Sequence, residues 1–418
     1  MSDGHTPAAE LPPHARASAA RLRELAALFL KLGTIGFGGP AAHTALMEAE
    51  VVRRRQWLTQ QQFLDMLGAA NLIPGPTSTE VAISVGFVRA GWVGLFVAGA
   101  SFILPAALIS GAFAWAYVRF GALTEAVSAL SGIKAAVLAI IAIAIWRLGK
   151  TAVKDPGLAV LAGLALAAFF LGVNPIVILF GGGLMGMLAR RAAIFRPAGT
   201  ALSLPVFSRR TPAVRPGKGP LNPWWRSFEA VAIASAAVGA AAARPSLYRI
   251  GLFFLKVGAV LYGGGYVLLA FLEQGLVQQN AWLTHQQLLD AVAIGQFTPG
   301  PVLSTSTFIG YLLGGIPGAA VATVAIFLPS FFYVGLLAPF LFRLRQSAWM
   351  AAFLDSVNAC AVALMTGVTL RLAADALRVW PAWVIAFLSL SVSSRWKLSP
   401  AWVVLGGGIA GLLLAAVH

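Results

Sequence analysis

The stretch "GQFTPGPVLSTSTFIGY" (residues 295–311) and its earlier counterpart "ANLIPGPTSTEVAISVG" (residues 70–86) each set Pro-Gly-Pro inside strongly apolar surroundings. Proline donates no backbone N–H and disfavours helix in the residue before it, so each triplet ends one helix and frees the start of the next. A row of hydroxyl side chains follows each break: Thr77, Ser78 and Thr79 in the first, Ser304, Thr305, Ser306 and Thr307 in the second. A carboxamide precedes each, Asn71 or Gln296.

Composition makes the surroundings a membrane. Of 418 residues, 59% are hydrophobic and 11% charged, with a mean hydropathy of +0.83; soluble domains use roughly 45–50% apolar residues. Residues 91–118 carry no charge over 28 positions, and about 20 suffice to cross the hydrocarbon. Spanning segments must satisfy their own backbone, which favours helices, and the continuous apolar runs lack the alternation of a barrel. The net charge of +16 comes from Lys and Arg in short loops and one linker. Such charges orient a membrane protein and call for no nucleic acid. The single cysteine, Cys360, lies in an apolar run, where a packed thiol without a disulfide is expected. Residues 1–23 have no apolar core and read as a mobile tail, with no cleaved signal peptide.

The chain repeats itself. Slid by 225 positions, "LFLKLGTIGFGG" falls on "FFLKVGAVLYGG" and "WLTQQQFLD" on "WLTHQQLLD", with 19 of 49 positions identical and no gap over residues 28–76. The organisation is a tail (1–23), a first repeat (24–195), a basic linker (196–245) and a second repeat (246–418). Each repeat holds a broken apolar segment with a glycine pair (Gly38-Gly39, Gly263-Gly264) and an amphipathic stretch anchored by Trp57 or Trp282. The Pro-Gly-Pro half-helices, a long helix with a central proline (Pro105, Pro329) and three more apolar segments complete it.

Basic loops change sides between the halves. Arg53, Arg54, Arg55 and Arg89 have no basic counterparts in the second half, whereas Arg343, Arg345, Arg395 and Lys397 are largely unmatched in the first. Because Lys and Arg mark one side of a membrane, the halves are expected to be inserted upside down relative to each other. The fold expected is an all-α polytopic membrane protein with an inverted-topology repeat. Each half would have about five spanning helices plus a broken or re-entrant helical hairpin at Pro-Gly-Pro. Arg16, Arg21 and Arg23 fit less well, since this scheme puts their end on the less basic side. Residues 228–243 read either as an interfacial helix or as an extra crossing.

Discontinuous helices in inverted repeats hold the substrate of secondary transporters near the midplane. A half-helix start offers unpaired N–H groups and about half a positive charge, which suits an anion. The candidate cradle is Gly38, Gly39, Asn71, Pro74, Gly75, Pro76, Thr77, Ser78 and Thr79 with Gly263, Gly264, Gln296, Pro299, Gly300, Pro301, Ser304 and Thr305. A plain helical kink, with hydroxyls bonded to their own backbone, is the competing reading. Lys31 and Lys256, seven residues before each glycine pair, either face the substrate or snorkel to the interface. Glu80, whose counterpart is Thr305, is a candidate proton carrier or a partner of Arg89 or Lys31. The paired acids Glu48/Glu273 and Asp65/Asp290 flank polar stretches and read as caps or loop partners.

The segments "GFGGP", "WLTQQQFLDMLGAANLIPGPTSTEVAI", "LYGGGYVLLAFLEQ" and "GQFTPGPVLSTSTFIGYLLGG" resemble the bidomain form of the chromate ion transporter family over both halves. The resemblance implies export of chromate, a dianion that mimics sulfate, across the bacterial cytoplasmic membrane, with chromate resistance as the outcome. It also implies that Gly38-Gly39, residues 74–76, Gly263-Gly264 and residues 299–301 form the transport core. No cofactor and no metal are called for. A carrier for sulfate or another tetrahedral oxyanion and an anion channel are the alternatives, and a homodimer is left open. An enzyme is disfavoured, because His43 and His285 lack histidine counterparts in the repeat and no nucleophile–base set stands out.

Overall fold

The computed structural model describes residues 18–37, 39–71, 73–121, 123–194, 245–262, 267–337, 348–377, 379–396 and 400–417. Residues 228–243, Gly38, Gly263, Gly264, Arg343, Arg345 and Lys397 lie outside them. The described residues are helical, with no strand among them.

Helix α1 (Ala19–Ile35) starts within the segment expected to be a tail, because the Ser18 side chain accepts from the Arg21 N–H and caps it. It gives out at Gly36. Helix α2 (Gly39–Glu48) and a π-helical turn (Ala49–Arg54) follow, and α3 (Gln60–Ala70) opens on a Thr59/Gln62 capping box. Past the first Pro-Gly-Pro, α4 (Thr77–Phe120) has two arms, since Ala90 (φ −149°, ψ 24°) and Gly91 (φ +63°, ψ −150°) leave helical space. The positive φ at Gly91 is open to glycine without the penalty a Cβ would bring, and it reverses the chain. A Cβ added at Gly86 would collide with the Gly94 carbonyl and one at Gly94 with the Gly86 carbonyl, so the arms touch backbone to backbone. Helices α5 (Thr124–Ala152), α6 (Pro156–Phe170) and α7 (Pro175–Ile194) complete the half.

The second half repeats this order. It has α8 (Leu247–Val260), α9 (Leu268–Leu272), a π-helical turn (Glu273–Gln279) and α10 (His285–Phe297), again capped by a Thr284/Gln287 box. A short 3-10 turn (Val302–Ser304) leads into α11 (Thr305–Leu337), which reverses at Gly314 and Gly315 with almost the same angles as its counterpart. Helices α12 (Ala348–Ala376), α13 (Trp380–Trp396) and α14 (Pro400–Val417) close the chain. Among the described residues, four segments, in α4, α5, α11 and α12, are long and apolar enough to cross a membrane, and α6, α7 and α14 supply shorter apolar helices. Large exposed apolar side chains such as Leu108, Trp115, Trp146, Phe387 and Trp402 give the outer surface a lipid-compatible character.

Contacts fix the depth of each piece. Glu24 near the start of α1 pairs with Arg89 at the α4 reversal (3.3 Å), and the Arg89 guanidinium lies over Trp57 at 4.8 Å. In between, α1 climbs beside the second arm of α4, with Gly33 against the Phe102 carbonyl, and stops at Gly36. The first apolar segment therefore turns back, and two re-entrant hairpins open on one face. This places Arg21 and Arg23 with Arg53, Arg54, Arg55 and Arg89, which resolves the awkward charge of the N-terminal arginines.

The long arms of the two halves run antiparallel. Trp92 packs on Gly335, and Gly99 further along meets Phe331. Phe96 stacks on Phe331 at 5.6 Å. Equivalent elements that cross in opposite directions are what an inverted repeat demands. Cys360 is buried against Gly182, the packed thiol that the sequence suggests.

Candidate functional site

The two Pro-Gly-Pro turns bond across the repeat boundary. The Gly75 N–H donates to the Leu261 carbonyl and the Gly300 N–H donates to the Gly36 carbonyl, both at 2.7 Å. Gly36 and Leu261 are equivalent positions, each just beyond the first apolar helix of its repeat. Two interrupted hairpins from each half thus meet at one level. Both glycines hold positive φ, +143° at Gly75 and +88° at Gly300, and both are buried with Pro76, Pro299 and Pro301.

Each half-helix beyond the break starts on a proline that supplies no side-chain cap, Pro76 for α4 and Pro301 for the 3-10 turn before α11. The leading N–H groups of such a helix have no intrahelical acceptor and carry the positive end of its dipole. These features favour a small anion.

The hydroxyls divide into bound and free. Thr305 donates to the Val302 carbonyl and Thr298 to the Ile294 carbonyl, each at 2.8 Å, and Thr307 pairs with Thr323 at 2.7 Å. To that extent the kink reading holds. Thr79 Oγ1 and Ser306 Oγ are buried without a hydrogen-bond partner among the described residues, while the buried Glu80 carboxyl and Ser330 hydroxyl stand together at Gly75. Buried polar atoms are nearly always satisfied, so these hydroxyls are candidate contacts for a ligand. Thr77 donates to the exposed Asn71 at 3.3 Å, while Gln296 is buried.

The breaks are not chemically equal. Glu80 Oε1 and Ser330 Oγ crowd the position a Gly75 Cβ would take, whereas at Gly300 the corresponding neighbour is Ala106. Ser110 stands at the second break, 3.3 Å from Ser304 Oγ and 3.5 Å from Thr298 Oγ1; the first break has Val334 packed among Ile73 and Ile83 in that role. Each break thus takes a serine from the long arm of the other repeat, at levels one helical turn apart.

His43 was legible only as a lone histidine. It is buried, with Nε2 2.9 Å from the Gly36 carbonyl and Nδ1 3.4 Å from Ser78 Oγ. The carbonyl that receives Gly300 is therefore also held by His43, and Ser78 is steered away from random rotation. Ser110 and Ser330 were missed as well; their only signal is a hydroxyl within about a turn of Pro105 or Pro329.

The lysines are placed differently from the cradle. Lys31 is half-exposed and pairs with Glu50 at 2.8 Å, beside Arg54 and Arg55. Lys256 is exposed. Arg89 pairs with Glu24, so neither Arg89 nor Lys31 is a partner of Glu80. Of the glycine pairs, only Gly39 is described, opening α2 with φ +77°. Of the paired acids, Glu48 takes Arg53 and Gln60, and Glu273 takes Gln278 and His285 at the equivalent positions, as loop partners do. Asp290 departs from that expectation, being buried and paired with Lys134 of α5, because the hairpin carrying it packs inside the membrane helices.

Interrupted helices from inverted halves that meet across the repeat boundary are an arrangement found in membrane transporters. Comparison with known proteins narrows the class. The chromate transporter family model matches residues 23–187 and again 248–412. The chain is 36% identical to the chromate transport protein of Cupriavidus metallidurans over 94% of its length and 93% of that protein. It is 32% identical to a probable chromate transport protein of Synechococcus elongatus (90% of each chain) and 29% identical to the chromate transport protein of Pseudomonas aeruginosa (94% and 92%). No solved structure matches significantly. The chain belongs to the chromate transporter family.

Proposed function

We propose that this protein carries chromate, CrO₄²⁻, out of the cell across the bacterial cytoplasmic membrane as a secondary transporter, and so confers chromate resistance. The observation that carries the reading is the reciprocal bonding of Gly75 to Leu261 and of Gly300 to Gly36. It brings two uncapped half-helix starts to the boundary between the repeats, with Glu80 of one repeat and Ser330 of the other together at Gly75. A tetrahedral dianion is small enough to accept from several N–H and O–H groups at once, and two helix dipoles favour its double charge.

The arginine-rich face, with Arg53, Arg54, Arg55, Arg89 and Lys154, is assigned to the cytoplasm by the distribution of positive charge. Rocking of the repeats then exposes the ion to the other side. Export of a dianion from a cell that is negative inside gains about 2.3 kcal/mol per charge per 100 mV. That gradient is sufficient to drive efflux, and Glu80 adds a site at which a proton can be taken up or released during the cycle. Lys31 and Lys256 then act through the local field and not by contact.

The test is uptake of radiolabelled chromate into inside-out vesicles under an imposed potential, with sulfate as competitor. Saturable uptake against a concentration gradient supports the proposal. Sulfate flux without chromate flux would replace the substrate, and non-saturable flux that only follows the gradient would make the protein a channel.

A further inference from the structure

A second cross-repeat cluster lies away from the breaks, on the face opposite the arginines. Lys134 of α5 pairs with Asp290 of α10 at 3.0 Å, with side-chain exposures of only 14% and 4%. Tyr117, near the end of α4, donates to the other Asp290 oxygen at 2.9 Å, and Lys134 also donates to Gln286. Two first-repeat side chains thus clasp the second repeat's re-entrant hairpin on the way to Thr298 and Ser304, and nothing about transport has used them.

The arginine face has a cross-repeat ion pair of a different kind: Lys154 meets Asp355 at 2.7 Å, with side-chain exposures of 57% and 30%, and neither residue lies on a re-entrant hairpin. Asp65, the counterpart of Asp290, is half-buried and bonded by Gln61 of its own helix at 3.0 Å. The positions that correspond to Lys134 are Asn358 and Ala359, neither of them cationic. At equivalent positions Asn71 is exposed and Gln296 buried, whereas Ile73 and Thr298, and likewise Thr79 and Ser304, are buried in both halves.

We propose that Lys134, Asp290 and Tyr117 form an inter-repeat latch that closes the second break from the non-arginine face, and that this latch opens when the ion leaves on that side. The inference rests on the transport reading of the breaks. A buried ion pair adds little net stability against apolar neighbours, yet loss of one partner leaves the other charge stranded. Such a pair suits a contact that must hold in one state and part in another. The three are positioning residues, since none lies at the breaks themselves.

The experiment uses the full chain with Cys360→Ala and the reporter Ile294→Cys, which lies on α10 between Asp290 and the break. A membrane-impermeant maleimide is applied to the His285 face. Slow labelling is expected with the latch intact. Asp290→Asn or Lys134→Met should speed it at least about tenfold, and the swap Lys134→Asp with Asp290→Lys should restore slow labelling. Equal rates in all variants, or a swap that stays fast, would overturn the latch. If the single variants fail to reach the membrane, Tyr117→Phe removes one hydroxyl only; faster labelling supports the latch and an unchanged rate refutes it. Labelling needs no chromate, so this result stands apart from success or failure of the flux assay.

Discussion

Glu80 folds its carboxyl group back over Gly75, so that a Cβ added to this glycine would collide with Oε1 and lie 2.5 Å from Ser330 Oγ. The residue five positions after the break thereby seals the turn that creates it. Gly75→Ala should cost about 1–3 kcal/mol from its φ alone and displace Glu80. Chromate uptake into vesicles, normalised to protein in the membrane, is expected to fall at least about tenfold. Gly300→Leu should do the same, since a Cβ there lies 2.8 Å from the Ala106 side chain. A normal rate in either variant sinks the placement of the site.

Glu80→Gln keeps the shape of the side chain and removes its titration. Uptake driven by the potential is expected to persist, while any response to an imposed pH difference disappears. A Gln variant that keeps the pH response would show that the proton moves elsewhere.

Ser110→Val copies the Val334 of the other break and removes a buried donor to Ser304 or Thr298. A net hydrogen bond is worth about 0.5–1.5 kcal/mol, so initial rates should drop about twofold to tenfold. The comparison with Ser110→Thr, which keeps the hydroxyl, separates the bond from the change in size.

His43→Leu leaves Ser78 and the Gly36 carbonyl without the imidazole at 3.4 and 2.9 Å. A loss of about 1–3 kcal/mol in thermal stability in detergent is expected, with partial rescue by His43→Gln. Equal melting of the Leu and Gln variants would deny the hydrogen-bonding role.

Gly86→Leu should prevent folding outright, because the Gly94 backbone occupies the space its Cβ needs. Gly163→Ala in α6 meets open space and should be neutral or slightly stabilising, as helix propensity favours alanine by about 1 kcal/mol. Fluorescent size-exclusion profiles of the two variants give the comparison directly.

Much of this architecture was written in the chain. The repeat, the Pro-Gly-Pro half-helices and the proline arms follow from identity at fixed spacing and from what proline forbids. The swap of basic loops was enough to give the inversion that the antiparallel arms display. The turn-back at Gly36 was not legible, since an apolar segment of α1's length is compatible with both a crossing and a half-crossing; only the Glu24–Arg89 and Arg89–Trp57 contacts decide. The pairing of Lys31 with Glu50 was not legible either, because the two lie on separate helical elements 19 positions apart and only their packing brings them together. His43, Ser110 and Ser330 escaped notice because their roles depend on contacts between the halves, for which a single sequence holds no direct record.

The mismatch between Glu80 with Ser330 and Thr305 with Ala106 bears on why one polypeptide holds both copies. Self-association of a lone first repeat would confront two acidic groups across a dyad, and of a lone second repeat none. Tandem fusion guarantees one such carboxyl per pair of Pro-Gly-Pro turns, a ratio that independent assembly of identical modules has no means to enforce.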